Sequence, residues 1–313
     1  MKKFLLTLLA VGLLASTLFI SCSPKEVQKE VQAEPVVQID TLEIAVNGYF
    51  ENKPDHNYMI AQKDIVDMVI AGEDMVLLDI RKPEDYAKGH LKGAVNLPWG
   101  IELYNQLRYI PRDKDVYINC YSGQTAGQAV VLLNVAGISA RSIKYGWNFG
   151  ISKVEGVEAV IETEATVLDT SKSWETDAAI DAAYKAYYTE FASLSGTPFG
   201  SNIVSEENAK KILDSGDSDV VFVSIRKPEH YAAGHIDTAI NIPWAKGMND
   251  MFASLPADKK IIVNCYSGQT AGQAVAGLKL LGYDAVSLKG GMGTAGNAPL
   301  GWANKEYPVV TSN

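Results

Sequence analysis

Short apolar runs alternate with stretches of helical periodicity along most of the chain. Val76–Leu78 and Val116–Ile118 have the length and apolar character of buried strands. Gly127–Ala136 has a helical pattern and stops at Gly137, which is typical of a helix that ends on a glycine. This alternation predicts an α/β fold with a parallel sheet flanked by helices.

The same pattern occurs twice. The segment NCYSGQTAGQAV starts at Asn119 and again at Asn264, and Arg81 and Arg226 begin another shared motif at the same spacing of 145 residues. A constant spacing leaves no insertion between the motifs, so we interpret the chain as two tandem copies of one domain. The strands and the helix of the second copy are predicted at Val220–Val223, Ile261–Val263 and Gly272–Leu281.

A further helical pattern lies between the copies, over residues 173–195. Its apolar side chains recur every three or four residues, which places them on one helix face: Ile180, Tyr184, Tyr187, Phe191 and Leu194. We interpret this aromatic stripe as core or inter-domain packing rather than as a cofactor site. The predicted domains are therefore 41–172 and 173–313, the second beginning with this helix.

The beginning of the chain has the pattern of an export signal. Lysines precede the apolar stretch Phe4–Ile20, and a small residue and Cys22 follow it, which predicts a signal peptide over 1–21. The position of Cys22 resembles a bacterial lipobox, with cleavage before the cysteine and lipidation of its thiol. The alternative is an uncleaved membrane anchor. Either alternative places the remainder in the cell envelope, facing the periplasm or the exterior, behind a flexible tether over 22–40.

Charge and cysteine content narrow the classes of function. The 313 residues carry a net charge of −9, which disfavours nucleic acid as a partner because binding it requires a basic face. The three cysteines are Cys22, Cys120 and Cys265. They form no CxxC pair and no Cys/His cluster with zinc spacing, so we predict neither a disulfide scaffold nor a metal site.

Cys120 and Cys265 each follow a predicted strand and precede a predicted helix. Ligands of α/β sheets bind at this edge, where backbone N–H groups and the positive end of the helix favour an anion. We therefore expect both thiolate and persulfide to be stabilised there. The loops that would bind the persulfide consist of Tyr121, Ser122, Gly123, Gln124 and Thr125, and of Tyr266, Ser267, Gly268, Gln269 and Thr270.

The order D-I-R, E-x-Y-x-x-G-H, A-x-N-x-P and C-Y-S-G-Q-T resembles the rhodanese (thiosulfate sulfurtransferase) family. The resemblance implies that a cysteine takes sulfane sulfur from a donor such as thiosulfate or polysulfide. The resulting persulfide then passes sulfur to a thiol or cyanide, without metal or organic cofactor. Cys120 and Cys265 match the family nucleophile, and the two loops match its active-site loop.

Other residues of the resemblance are interpreted as supporting. Arg81 and Arg226, with Glu84 and Glu229, are expected to form structural Arg–carboxylate pairs. Two further repeated pairs are expected to have structural roles, His90 and His235 through hydrogen bonds and Trp99 and Trp244 through packing.

Two departures from the family pattern concern the donor and the two sites. Thiosulfate-specific members often carry Arg or Lys in the loop, whereas these loops are neutral. In addition, Ser224 stands where the first copy has Asp79, and Thr238 where it has Gly93, so the two sites are not identical.

Other functions remain alternatives. A cysteine phosphatase or arsenate reductase needs an Arg that closes the loop, whereas Ala126 and Ala271 stand there. A persulfide carrier, a sulfur or redox sensor, or a partner-binding module has no need of turnover. A redox disulfide between Cys120 and Cys265 requires Cα atoms within about 7 Å.

Overall fold

The computed structural model describes residues 40–312, which belong to one compact unit. The predicted signal peptide, Cys22 and nearly all of the predicted tether lie outside these residues. None of the helices in the described part of the chain has the length and apolar character that a membrane crossing requires.

Each copy forms one α/β layer structure preceded by a helix. In the first copy the helices are α1 (Thr41–Glu51), α2 (Gln62–Ala71), α3 (Pro83–Tyr86), α4 (Ile101–Gln106) and α5 (Gln124–Val135). Its strands are β1 (Met59–Ile60), β2 (Val76–Asp79), β3 (His90–Leu91), β4 (Ala94–Asn96), β5 (Val116–Asn119), β6 (Ala140–Ile143) and β7 (Ile161–Glu162).

The second copy repeats this order. Its helices are α6 (Ala178–Ser193), α7 (Glu206–Ser215), α8 (Pro228–Ala232) and α9 (Gln269–Leu280). Its strands are β8 (Ile203–Val204), β9 (Val220–Ser224), β10 (Ile240–Asn241), β11 (Lys260–Asn264) and β12 (Ala285–Leu288), and a 3₁₀ segment over Met248–Ser254 takes the place of α4.

Two five-stranded parallel sheets form the centres of the copies. Their orders are β1-β6-β5-β2-β4 and β8-β12-β11-β9-β10, so equivalent strands occupy equivalent places. The cysteine-bearing strands β5 and β11 are central. This arrangement confirms the predicted α/β fold, and both predicted strands of each copy are present.

The helices after the cysteines begin three residues earlier than predicted. Gly123 has φ of 87° and Gly268 has φ of 89°, a left-handed conformation that directly precedes the helix. The Gly127 N–H donates to the Gly123 carbonyl at 2.9 Å, so the helical ladder already starts there. The predicted glycine ends are confirmed, since Gly137 and Gly282 have φ of 84° and 90°.

Helix α6 carries the predicted aromatic stripe. It begins at Ala178 because Asp177 caps it, accepting from the Ala179 N–H at 2.9 Å. Tyr184 and Tyr187 are buried and reach the first copy, where the Tyr184 hydroxyl donates to the Leu132 carbonyl. The stripe therefore packs in the core, as predicted.

Helices α5 and α9 pack directly against each other between the two sheets. A single buried apolar cluster runs through both, from Ile118 and Val130 in the first copy to Val263 and Val275 in the second. The helices approach so closely that a Cβ added at Gly127 would lie 2.3 Å from the Gln269 carbonyl oxygen. This packing places the two cysteine loops within one shared core.

Candidate active site

Each repeated cysteine is the first residue after the central strand of its sheet. Cys120 follows β5 and Cys265 follows β11, and both strands bury their apolar side chains on both faces. Both thiols are therefore fixed at the carboxyl edge of a parallel sheet, where ligands of such sheets bind. Cys120 and Cys265 are 1% and 2% exposed, so little of either residue is accessible to a reagent in solution.

Backbone N–H groups point at the sulfur in both copies. The Gly123 N–H donates to Cys120 Sγ at 3.1 Å and the Ala126 N–H at 3.4 Å, while the Gly268 N–H donates to Cys265 Sγ at 3.1 Å. The positive φ of the glycine turns its N–H towards the thiol, and the positive end of the following helix faces the same atom. The arrangement suits a thiolate or persulfide anion.

Both cysteine loops are held in place by hydrogen bonds of a tyrosine hydroxyl. The Tyr121 hydroxyl donates to Asp85 Oδ2 at 2.7 Å and accepts from the Lys82 N–H at 3.1 Å. Burial is the main cause that raises the pKa of Tyr121, and Asp85 adds to the shift. In the second copy the Tyr266 hydroxyl lies 2.5 Å from His230 Nδ1. Asp85 was not among the predicted site residues.

In each copy a second turn that contains a glycine donates a hydrogen bond to the backbone carbonyl of the cysteine. The Trp147 N–H donates to the Cys120 carbonyl at 2.7 Å, and the Met292 N–H donates to the Cys265 carbonyl at 2.8 Å. Gly146 makes this possible: a Cβ there would lie 2.7 Å from the Gly123 nitrogen. The sequence analysis missed this turn, although Gly146 and Gly291 follow the repeat spacing.

Arg81 pairs with Asp79, not with Glu84 as expected. Its Nε donates to both carboxylate oxygens of Asp79 at 3.0 and 2.9 Å, and Nη2 adds a contact of 2.6 Å. Both side chains are buried, whereas the Glu84 side chain is 62% exposed. The expectation was wrong because the end of β2 turns Asp79 and Arg81 to the same side, while α3 directs Glu84 into solvent.

The guanidinium of Arg81 also borders a cavity of about 350 Å³ in the first copy. It stacks on the Trp147 ring at 4.0 Å from the centroid. Asp85, Lys88 and Tyr121 complete the polar rim. Lys88 donates to Asp85 at 2.7 Å, and with Tyr121 it holds the pKa of that carboxyl below its usual value. Each cation of this rim therefore has its own carboxylate, Asp85 for Lys88 and the buried Asp79 for Arg81.

Glutamines exchange hydrogen bonds between the copies. Gln124 Nε2 donates to Ser287 Oγ at 2.8 Å and to the Leu288 carbonyl at 3.0 Å. Gln269 returns the same pattern, with Nε2 donating to Ser142 Oγ at 2.7 Å and to the Ile143 carbonyl at 3.2 Å. These predicted loop residues are thus buried in the first helical turn and tie each site to the other copy.

The remaining predicted residues have the following positions. The hydroxyl residues of the two cysteine loops are half-buried: Ser122, Thr125, Ser267 and Thr270. His90 is fully buried, with Nδ1 2.9 Å from the Tyr86 carbonyl, and His235 repeats this contact, which confirms their structural role.

Trp99 and Trp244 pack as predicted. Trp99 lies on the aromatic rings of α6, and Trp244 lies on Phe50 of α1. The N-terminal helix of each copy therefore packs against a tryptophan of the other copy. Cys120 and Cys265 are both free thiols.

Comparisons with known proteins identify similar sequences. A sequence model of the rhodanese-like domain matches residues 62–149 and 205–294. A putative thiosulfate sulfurtransferase of Saccharopolyspora erythraea is 26% identical over 53% of this chain and 61% of its own length. The thiosulfate:glutathione sulfurtransferase of Saccharomyces cerevisiae is 33% identical over 27% of this chain and 69% of its own.

A crystal structure of the 3-mercaptopyruvate sulfotransferase SseA from Escherichia coli aligns with 74% of this chain and 98% of its own, at 17% identity and a TM-score of 0.35. The chain spans about three fifths of the length of the Saccharopolyspora relative. Because the rhodanese-like match covers more than half of the residues, in two copies, the chain belongs to the rhodanese-like domain family.

Proposed function

We propose that the protein is a sulfurtransferase that carries sulfane sulfur on Cys120 and Cys265 as persulfides. The observation that supports this most directly is the repeated geometry at the sulfur: a thiol at the carboxyl edge of the central strand accepts a backbone N–H at 3.1 Å in both copies. A site of this kind stabilises negative charge on sulfur before and after transfer.

The proposed reaction has two steps. The cysteine thiolate attacks the outer sulfur of thiosulfate, a new S–S bond forms, and sulfite leaves with the electron pair of the broken bond. An acceptor thiolate then attacks the outer sulfur of the persulfide, and the cysteine thiolate departs. The N–H groups of Gly123 and Gly268 face Sγ, which is anionic before the first step and again after the second. Between the two steps the negative charge lies on the outer sulfur, which is bonded to Sγ.

A thiol acceptor is favoured over cyanide. The relative from Saccharomyces cerevisiae is named for thiosulfate and glutathione, and this supports a thiol as the acceptor here. Polysulfide is a second donor class, because the cysteine thiolate can attack its terminal sulfur in the same way.

Intact-protein mass spectrometry tests the proposal. Reduced full-length protein in detergent is incubated with thiosulfate or with polysulfide, beside Cys120→Ser, Cys265→Ser and the double variant. We expect one or two added sulfur atoms, each lost with its own cysteine. No added sulfur from either donor would refute the proposal. Loading without transfer to glutathione would instead identify a persulfide carrier.

We further propose that the protein is exported and anchored through lipid on Cys22. The apolar stretch and the small residue before Cys22 support this. Labelling with tritiated palmitate tests it: wild type should incorporate label and sediment with membranes, and Cys22→Ser should lose the label. Equal labelling of both forms would contradict lipidation at this residue.

A further inference from the structure

The two cysteine sites differ in charge, although their loops are identical in sequence. Four positions around the arginine that carry a charged or aromatic side chain in the first copy change in the second, at the repeat spacing of 145. The replacements from the first copy to the second are Asp79 to Ser224, Asp85 to His230, Lys88 to Ala233 and Trp147 to Met292. The flanking residues Lys82 and Glu84 recur as Lys227 and Glu229, so they add no difference.

In the first copy the cations are matched by carboxylates. Arg81 is held by three contacts of 2.6 to 3.0 Å to buried Asp79, and Lys88 by Asp85 at 2.7 Å. The guanidinium is further covered by the Trp147 ring. Little net positive charge is therefore left to attract an anion to Cys120.

In the second copy the guanidinium remains and its carboxylate does not. Arg226 is 7% exposed, and its Nη2 donates to the Gly234 carbonyl. Its Nε lies 3.4 Å from Ser224 Oγ, a long contact to a neutral group. Within residues 40–312, Arg226 forms no ion pair with a carboxylate. A buried cation without an anionic partner is costly, which favours a bound anion as the missing partner.

Arg226 and Cys265 leave the same edge of the second sheet on neighbouring strands, because Ser224 is paired with Asn264 and the Ile225 N–H donates to the Asn264 carbonyl at 2.9 Å. Burial lowers the pKa of Arg226, and the neighbouring Tyr266 and Cys265 oppose that shift. Tyr266 directly follows Cys265 and is held by His230 instead of by an acid. The counterpart of His230 in the first copy, Asp85, is a carboxylate, so this position has lost a negative charge in the second copy.

We propose that Arg226 forms an anion-binding site beside Cys265, which makes the second copy the site that accepts anionic sulfur donors. The ligand class is a sulfur oxyanion such as thiosulfate, whose sulfonate oxygens fit a planar guanidinium with free N–H donors. Arg226 would hold this group while Cys265 attacks the outer sulfur, and the departing sulfite would remain on the same cation. The assignment of thiosulfate rests on the proposed function; the anion site itself does not.

Paired alkylating reagents test the anion site without sulfur chemistry. Iodoacetate is an anion and iodoacetamide is neutral, and both react with a thiolate by displacement of iodide. At each cysteine the rate with iodoacetate is divided by the rate with iodoacetamide, both measured by peptide mass spectrometry on full-length protein. This ratio reports the local charge, and a higher ratio means a more positive site. We expect a ratio about tenfold higher at Cys265 than at Cys120.

The matched variants exchange Asp79 and Ser224, the residues that differ beside the arginine of each copy. Ser224→Asp should lower the ratio at Cys265 to that of Cys120, whereas Ser224→Asn adds similar volume without charge and should leave it high. The reverse change, Asp79→Ser, should raise the ratio at Cys120, and it tests the idea independently if Ser224→Asp fails to fold. Equal ratios at both cysteines, or a ratio at Cys265 that Ser224→Asp does not change, would overturn the proposal.

Loading by thiosulfate separates this proposal from the sulfurtransferase function. If both hold, Cys265 gains sulfur from thiosulfate about tenfold faster than Cys120, and Ser224→Asp removes the advantage. If neither cysteine gains sulfur but the alkylation ratios behave as expected, the sulfurtransferase proposal fails and the anion site stands. If both load at the same rate in wild type and in Ser224→Asp, the anion site fails and the sulfurtransferase proposal stands.

Discussion

Substitution of Gly127 by alanine should damage the site of the other copy. Gly127 lies in α5, and a methyl group there would meet the backbone carbonyl of Gln269, the first residue of α9. Ordinary van der Waals contact begins at 3.4 Å, and this methyl would lie about 1 Å inside that limit. Because the obstacle is helix backbone, no side chain can rotate away, so the two helices must separate.

The size of the effect follows from a comparison with another helical glycine. Gly48 lies in α1, and a methyl group added there would have its nearest neighbouring atom at 3.8 Å, so Gly48→Ala meets no obstacle. Both substitutions gain helix propensity of about 1 kcal/mol, and this gain cancels between them. The difference therefore reports the overpacking cost, which we expect near ~3 kcal/mol because rigid backbone is displaced.

Two measurements test this reasoning. Urea unfolding should give a lower midpoint for Gly127→Ala than for wild type and a slightly higher one for Gly48→Ala. Site-resolved alkylation should show that Gly127→Ala, a change in the first copy, alters the reactivity of Cys265, because displaced Gln269 directly follows the Gly268 N–H that binds its sulfur. Equal midpoints for the two variants, or an effect confined to Cys120, would refute the predicted contact between the copies.

The other predictions concern charge. Arg81→Met should destabilise the protein by about 3–5 kcal/mol, because it leaves the buried Asp79 carboxylate without its cation. Arg226→Met should destabilise it clearly less, and equal urea midpoints for the two variants would contradict this. Asp85 has its pKa lowered, chiefly by Lys88, so its contribution to stability is present above about pH 4 and is lost as the pH falls through the lowered value. Asp85→Asn should therefore lose less stability than wild type between about pH 5 and 2, and parallel pH curves would argue against the interaction.

Local sequence pattern determined the fold class and the position of the thiols. The strand at Val116–Ile118 and the end of α5 just before Gly137 were predictable because burial on both faces and a left-handed glycine are encoded within a few residues. The repeat spacing then transferred each prediction to the second copy. Cys120 and Cys265 followed from the same local order of strand, turn and helix.

Tertiary structure decided how the two sites are joined and how they differ. Gln124 binds Ser287, a residue 163 positions away, and Gly127 is required by a helix of the other copy. No local pattern contains such contacts, because they arise only when the two copies pack face to face. The partner of Arg81 was misassigned for a related reason. Three acids, Asp79, Glu84 and Asp85, lie within four residues of it in sequence, and the direction of the chain after β2 selected the buried one. The sequence determined which residues repeat, whereas the packing determined which of their charges are neutralised.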